Sequence, residues 1–383
     1  MRTANRALRV AILAAAAIGC AKRAPIGVPP VRTLTVSVRA DVSDFFPGPG
    51  LLNEGWTLDV NGHVFEGLSR FDRHLVPRPA LAQSWRSPDD LTWVFTLHER
   101  ALFADGTRVT AEDVVASIQS FVAGRFPSTT DLAGNVERVA ALSAREVEIK
   151  TRVPMPLLAV GLTTAFITKK DALEGRVPAV GAGPYRVERW AKGKEIVLAA
   201  NPWYHDGPPP FPRVVLAVEP DGAARVNAVL SGSAQLAEHV PFSEMGGLAA
   251  LGSVRLVVEP SVRVLFLGFR VDRPPFSDAR VRHAVQLAID RDELNRRVLA
   301  GKAFPATQVV TPAVAGFNPD IALPSPDRAA ARKLLEEAGF KRGLAVTLEG
   351  TNDRYVADAE ILKEAARQLG EAGFAVTAKA ESK

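Results

Sequence analysis

EGLSRFDRHLVPRPALAQSWRSPDDLTWVFTLHERALFADGTRVTAEDVVASIQSF, residues 66 to 121, sets a hairpin-like segment, a strand and a capped helix side by side. FDRHLVPRPALAQSW carries the hairpin signal. Thr92, Val94 and Thr96 then alternate with Trp93, Phe95 and Leu97, the period of a strand with one apolar face. Asp105-Gly106-Thr107 reads as a turn feeding a helix. Thr110 is its N-cap, Asp113 holds the third position, and Val114, Val115, Ile118, Phe121 and Val122 form one apolar stripe. Strand, turn and amphipathic helix in immediate succession predict an α/β chain.

The same alternation runs outward in both directions. Leu34, Val36 and Val38 in TLTVSVR predict a first strand, and DVSDFFPGPGLLNEGW after it reads as a loop. A short helix is expected from His63 to Leu68. Val147 and Ile149 mark another strand, GAGPYRVERW leading into EIVLAAN a hairpin, and Val214 to Glu219 a strand followed by a helix at Ala223 to Leu230. VLFLGF, after Val262, reads as a buried strand. Ser277 or Asp278 caps a helix carrying Val281, Ala284, Val285, Ala288 and Ile289, and Asp290 with Glu293 predicts a second capping box. Ser325 and Pro326 start a further helix, stopped by Gly339. A strand at Leu344 to Leu348, a helix at Ala357 to Leu369 and a strand at Phe374 to Ala378 close the pattern.

At 383 residues with 47% hydrophobic content, the chain is long enough for more than one packed core. Arg2, Arg6 and Arg9 lie in the first nine positions, so losing that end lowers the formal charge from +5 to +2. No basic stripe with interleaved aromatics supports nucleic-acid binding. Met1 to Arg9 is a basic region and Val10 to Gly19 an apolar run too short to span a bilayer, the pattern of an export signal. It ends at Cys20, the single cysteine of the chain. LAAAAIGCAKR, residues 13 to 23, resembles a bacterial lipobox, which implies lipid attachment at the Cys20 sulfur, with Ala17 where leucine is usual. A plain secretory signal cut at the same small residues is the alternative, and it leaves an unpaired thiol in an oxidising compartment. Residues 20 to 30, with Pro25, Pro29 and Pro30, read as a tether.

Residues 66 to 121 resemble the signature region of the family-5 extracellular solute-binding proteins, the peptide receptors of bacterial ABC importers. Three further blocks agree in order: GAGPYRVERW with NPWYHDGPPPF (181–211), VEPDGAARVNAVLSGSAQLA (218–237) and PPFSDARVRHAVQLAIDRDEL (274–294). The resemblance implies a two-lobed periplasmic-binding-protein-like fold, class II of the cluster C type, that closes on solute and delivers it to a permease and its ATPase. It implies a monomer lipid-anchored on the periplasmic or extracellular face. On that pattern the first lobe is 31–56 with 178–262, an accessory domain is inserted at 57–177, and 263–383 is the second lobe. Family chains continue past the strand that starts at Phe374. The second lobe is therefore expected to be incomplete, and this chain alone to bind peptide weakly or not at all.

By the same resemblance, the loop after the first strand supplies ligand contacts: Leu52, Asn53, Glu54 and Gly55, with Trp56 beside them. Arg270 stands ahead of the PPF block where the family often has asparagine, and a cation there suits a carboxylate-bearing solute. Arg280 and Arg282 read as solvated or salt-bridged, and Trp85, Trp93, Trp190 and Trp203 as packing residues. Gly181, Gly183 and Pro184 read as backbone geometry where the chain returns to the first lobe. No Walker lysine motif is present, so the chain is not an importer's ATPase. No catalytic residues, cofactor or metal are expected: the six histidines are scattered, and no nucleophile-elbow motif occurs. Nickel, haem or an oligosaccharide as cargo, or a secreted lipoprotein hydrolase, are the alternatives.

Overall fold

The computed structural model describes residues 32–46, 55–124, 130–352, 354, 355 and 357–382. Cys20, the signal and tether segments, and Leu52, Asn53 and Glu54 lie outside the described residues. Strand β1 (Thr33–Val38) is followed by helix α1 (Gly55–Val64) and a short ribbon of β2 (Ser69–Phe71) and β3 (Pro77–Pro79). Next come β4 (Ala82–Asp89), β5 (Thr92–Leu97), α2 (Ala111–Ala123), α3 (Thr130–Asn135), β6 (Val136–Ala141) and β7 (Glu146–Thr151). The four strands form an antiparallel sheet in the order β4-β5-β7-β6. Helices α4 (Leu158–Gly161) and α5 (Lys170–Leu173) precede the return through β8 (Tyr185–Ala191), β9 (Glu195–Ala200), β10 (Arg213–Val218), α6 (Gly222–Leu230) and β11 (Leu236–Ala237).

These late strands join β1 in a five-stranded sheet ordered β11-β1-β10-β9-β8. β1 runs parallel to both β10 and β11, while β9 is antiparallel to its two neighbours. The remainder is α7 (Phe242–Ala250), α8 (Ala279–Ala288), α9 (Arg291–Val298), α10 (Arg328–Glu337), β12 (Leu344–Thr351), α11 (Asp358–Glu371) and β13 (Phe374–Glu381). β12 and β13 pair in parallel. Buried side chains fall into three clusters: one from Leu68 to Ala182 around the antiparallel sheet, one from Val38 to Leu216 around the five-stranded sheet, and one from Val281 to Phe374. An α/β architecture follows, as the alternation of signals predicts.

Where the local chemistry is unambiguous, sequence and structure agree. Thr110 accepts from the Asp113 N–H at 3.2 Å while the Asp113 carboxylate accepts the Thr110 N–H at 3.0 Å, a reciprocal capping box. The buried face of α2 is Val114, Ile118 and Phe121. Gly181 and Gly183 run directly under the end of α1. A Cβ on Gly181 would stand 1.9 Å from the Val64 carbonyl oxygen, and one on Gly183 2.8 Å from the His63 oxygen. That contact lets the Gly183 N–H donate to the Val64 carbonyl at 2.9 Å and seats α1 against the sheet.

Four expectations are corrected. The helix expected at 63–68 is α1, eight residues earlier at its start, and Phe65 and Leu68 are buried outside it. Its buried face is Thr57, Val60, Asn61 and Val64, and two polar members disguise the stripe. Asn61 is tolerated there because its amide donates to the Thr57 and Asp44 carbonyls at 2.8 and 2.9 Å.

VLFLGF is not a strand. Leu265 and Phe266 are 46% and 72% exposed, because no strand among the described residues offers this segment a hydrogen-bonding edge. The helix expected from Ser325 begins at Arg328 with Asp327 as cap, its carboxylate accepting the Ala330 N–H at 2.9 Å. The second capping box is half formed. Asp290 accepts the Glu293 N–H, but the Asp290 N–H donates to Gln368, and Glu293 turns to Arg328 and Arg367 at 2.8 and 2.7 Å. β6 went unread in the sequence, since its buried positions are only Val136 and Val139.

Two substitutions test this frame. Gly181→Ala has no space for its methyl group and should lower stability by roughly 3 kcal/mol, seen as a lower urea midpoint at unchanged slope. Thr110→Ala should cost about 1 kcal/mol, with Thr110→Ser recovering most of it in the same unfolding experiment.

Candidate functional site

In open α/β sheets, the carboxyl ends of parallel strands are where loops gather and ligands bind. Both parallel strand sets here end toward one place. Arg39 follows β1, Glu238 follows β11, and Arg354 and Tyr355 follow β12. The Arg39 guanidinium donates to the Arg354 carbonyl at 3.0 Å, joining segments 315 residues apart.

Arg263 enters the same place from the segment between α7 and α8. One of its guanidinium nitrogens lies 3.9 Å from where a Cβ on Gly55 would stand. Its guanidinium also lies over the Tyr355 ring, 5.1 Å from the centroid, and Arg354 approaches that ring at 5.2 Å. Gly55 opens α1, whose exposed residues include Asp59, Gly62 and His63. Asp59 and His63 keep much of their surface in contact with solvent, yet the surrounding protein desolvates both. The place where these strand ends, the start of α1 and Arg263 meet is the candidate crevice. Burial pushes the Asp59 carboxyl above its usual range, opposed by His63 and Arg263 and reinforced by Glu238. Burial pushes the His63 imidazole below its usual value, opposed by Asp59, so the neutral ring is favoured at neutral pH.

The loop carrying Arg354 and Tyr355 is fixed from beneath by Asp358. Its carboxylate accepts from the Thr351 hydroxyl at 2.6 Å and from the Arg354 and Tyr355 N–H groups at 3.1 Å each. Burial raises this carboxyl, but those donors and the Ala359 N–H outweigh it and hold it below the usual carboxylate range. Ala357, immediately before, has φ of +57°, a left-handed conformation that costs a side-chain-bearing residue about 1 kcal/mol. Asp358 thus stabilises a backbone path that brings Arg354 and Tyr355 to the crevice.

Of the residues singled out in the sequence, Gly55 and Trp56 lie at this place, and Trp56 is half-buried against the core of the five-stranded sheet. Arg270 is exposed, and its guanidinium forks onto Asp272 at 3.1 and 3.2 Å, two residues away. Arg280 is engaged by Asp278, and Arg282 donates to the Phe276 carbonyl. Arg39, Asp59, Glu238, Arg263, Arg354 and Tyr355 were missed. Five places in the sequence supply them, and only the rule about strand ends points to Arg39 and Arg354 in advance. Asp105 accepts from the Thr107 N–H and hydroxyl and pairs with Lys169, as a turn residue does.

A separate depression of about 280 Å³ beside Trp203, Tyr204 and His205 shares no residue with the crevice. His205 in its lining belongs to a structural tie: the buried Glu66 carboxylate meets His205 at 2.8 Å, and Arg70 pairs with the neighbouring Asp206 at 2.6 Å. Trp203 lies on Gly106, where a Cβ would be 3.1 Å from the indole. Among the described residues, no group of three or more His, Cys, Asp or Glu side chains has metal-holding geometry, and no helix is long and apolar enough to cross a membrane.

Comparison with known proteins supplies the lineage. A glutathione-binding protein GsiB from Shigella flexneri is 27% identical over 333 residues, covering 84% of this chain and 65% of that protein. The protein of the same name from Salmonella paratyphi A is 29% identical over 332 residues, covering 84% and 64%. This chain therefore spans a little under two thirds of the length of these relatives.

Among solved structures, the periplasmic binding protein DppA from Helicobacter pylori, in complex with the peptide STSA, superposes with a TM-score of 0.79 at 23% identity, covering 91% of this chain and 74% of that one. NikZ from Campylobacter jejuni, in complex with Ni(L-His), gives 0.79 at 23% identity, covering 92% and 74%. These likenesses show the fold, that of the periplasmic binding proteins. The model of the bacterial extracellular solute-binding proteins, family 5, matches residues 76–383, and the chain belongs to that family.

Proposed function

We propose that this chain is the solute receptor of an ABC importer, capturing peptides or related small solutes and presenting them to a permease driven by its ATPase. The observation that carries this reading is the meeting of Arg39 with Arg354, which brings the carboxyl ends of two parallel strand sets to one crevice. In this reading residues 31–56 with 178–262 form one lobe and 263–383 the other, with 57–177 inserted, and closure of the two traps the solute between them. Residues 52–56 line the solute from the first side, with Arg354 and Tyr355 opposite. Named relatives are glutathione-binding proteins, which makes glutathione the first solute to test. The reading requires no chemistry on the solute: binding and release suffice.

Cys20 anchors the receptor through lipid on its sulfur, and several acyl chains hold a protein stably at a membrane where one does not. The receptor then works as a monomer on the periplasmic or extracellular face.

Ligand-observed NMR with glutathione and with trialanine, at concentrations that detect weak complexes, should show saturation transfer from the protein; no transfer from either solute, nor from a wider tripeptide panel, would overturn the reading. Asp358→Asn should weaken binding by roughly tenfold while the melting temperature moves by only a few degrees, because the loop that carries Tyr355 loses its fixed path. Expressed in a bacterial host with its own first thirty residues, the chain should partition with membranes and incorporate labelled palmitate. Cys20→Ser should abolish both.

A further inference from the structure

We propose that the seam between the antiparallel sheet and the five-stranded sheet is an acid-sensitive joint, with His98 as its trigger. The inference goes beyond the receptor reading and does not depend on which solute is carried. Three stretches meet at the seam: Glu66 and Arg70 at the short ribbon, His98 just past the end of β5, and residues 204–206 after β9. The His98 and His205 rings pack together with centroids 4.9 Å apart. His205 is 5% exposed; its Nε2 meets the buried Glu66 carboxylate at 2.8 Å, and its Nδ1 stands 3.5 Å from Asp206 without a hydrogen bond. Arg70 completes the tie. It donates to the Tyr204 hydroxyl at 2.8 Å and to Asp206 at 2.6 Å, and lies 3.6 Å from Glu66.

His98 is the member of this group that cannot take a proton without breaking a bond it makes. Its Nδ1 accepts the Arg100 N–H at 3.1 Å, so that nitrogen carries no proton in the folded chain. A proton there sets a donor against a donor. It also charges a ring packed against a second imidazole, with the Arg100 guanidinium close enough to oppose it. Burial pushes the His98 imidazole below its usual value, reinforced by His205 and Arg100 and opposed by Asp206 and Glu99. Two neighbours keep their state through mild acid. Burial raises the Asp206 carboxyl, but Arg70 outweighs it and holds the group below the usual carboxylate range. Burial and the Glu66 carboxylate push the Tyr204 phenol up, so it stays protonated. His98 has its ordinary value of 6.5 in the unfolded chain and a lower one in the folded chain. The joint is therefore at full strength above 6.5 and weakens as pH falls through the folded value.

The test is amide hydrogen exchange of the full chain at about pH 7.5 and about pH 5.5, the span over which imidazoles charge, corrected for the intrinsic pH dependence of exchange. Residues 98–108 and 201–207 should exchange several-fold faster at the lower pH, while β12 and β13 change little. His98→Asn keeps an acceptor for the Arg100 N–H but cannot charge, and His98→Phe keeps a ring against His205 with no proton to gain. Either variant, once folded, should lose the acid-induced increase. In the unmodified protein, NMR should find the His98 ring titrating below 6.5. Exchange that rises equally along the whole chain, or not at all, would overturn the joint. An increase that persists in a folded variant, or a His98 ring titrating at or above its ordinary value, would overturn the assignment to His98.

Discussion

The Val64 carbonyl oxygen leaves room for nothing larger than hydrogen at residue 181, and the architecture is organised around that close approach. The chain leaves the five-stranded sheet after β1, builds a whole antiparallel sheet with its own buried cluster, and returns beneath the last turn of α1 before entering β8. Because Gly183 donates to Val64 at the crossing, α1 is clamped between the outgoing and returning strands. A clamped α1 holds its exposed residues, Gly55, Asp59 and His63, toward the strand ends where Arg263 and Tyr355 approach. A change of one methyl group at the crossing would therefore be felt at the crevice.

Much of the fold was legible before any coordinates. The Thr110 capping box, the β8–β9 hairpin and the Gly339 stop each depend on interactions between residues near in sequence. The errors also have physical causes. The buried stripe of α1 contains Thr57 and Asn61; the Thr57 hydroxyl accepts the Ser43 N–H and the Asn61 amide donates to the Asp44 carbonyl, partners outside the helix that no periodicity rule sees. VLFLGF has the composition of a buried strand, yet a strand is defined by its partner, and composition carries no information about one.

The candidate site was the least legible part. Gly55 was singled out by the family resemblance, Trp56 because it follows a Gly- and Pro-rich loop, and Arg270 because it departs from a family pattern. Arg263 sits four residues from Leu267 inside a run that looked like core, and Tyr355 follows a strand whose loop had no distinguishing motif. Only the three-dimensional meeting of strand ends unites them. The strand-end rule was available from the start: Arg39 and Arg354 lie just past the carboxyl ends of strands that the sequence did reveal.

The support under the Tyr355 loop bears on the setting in which such a protein works. Asp358 is held ionised by four donors, with its carboxyl below the ordinary range, so its contribution is present above the unfolded value near 3.8 and is lost only as pH falls through the lower folded one. A member of a family that operates outside the cytoplasm meets whatever acidity its surroundings impose. The loop that carries Arg354 and Tyr355 would keep its path through mild souring of those surroundings and lose it only in strong acid.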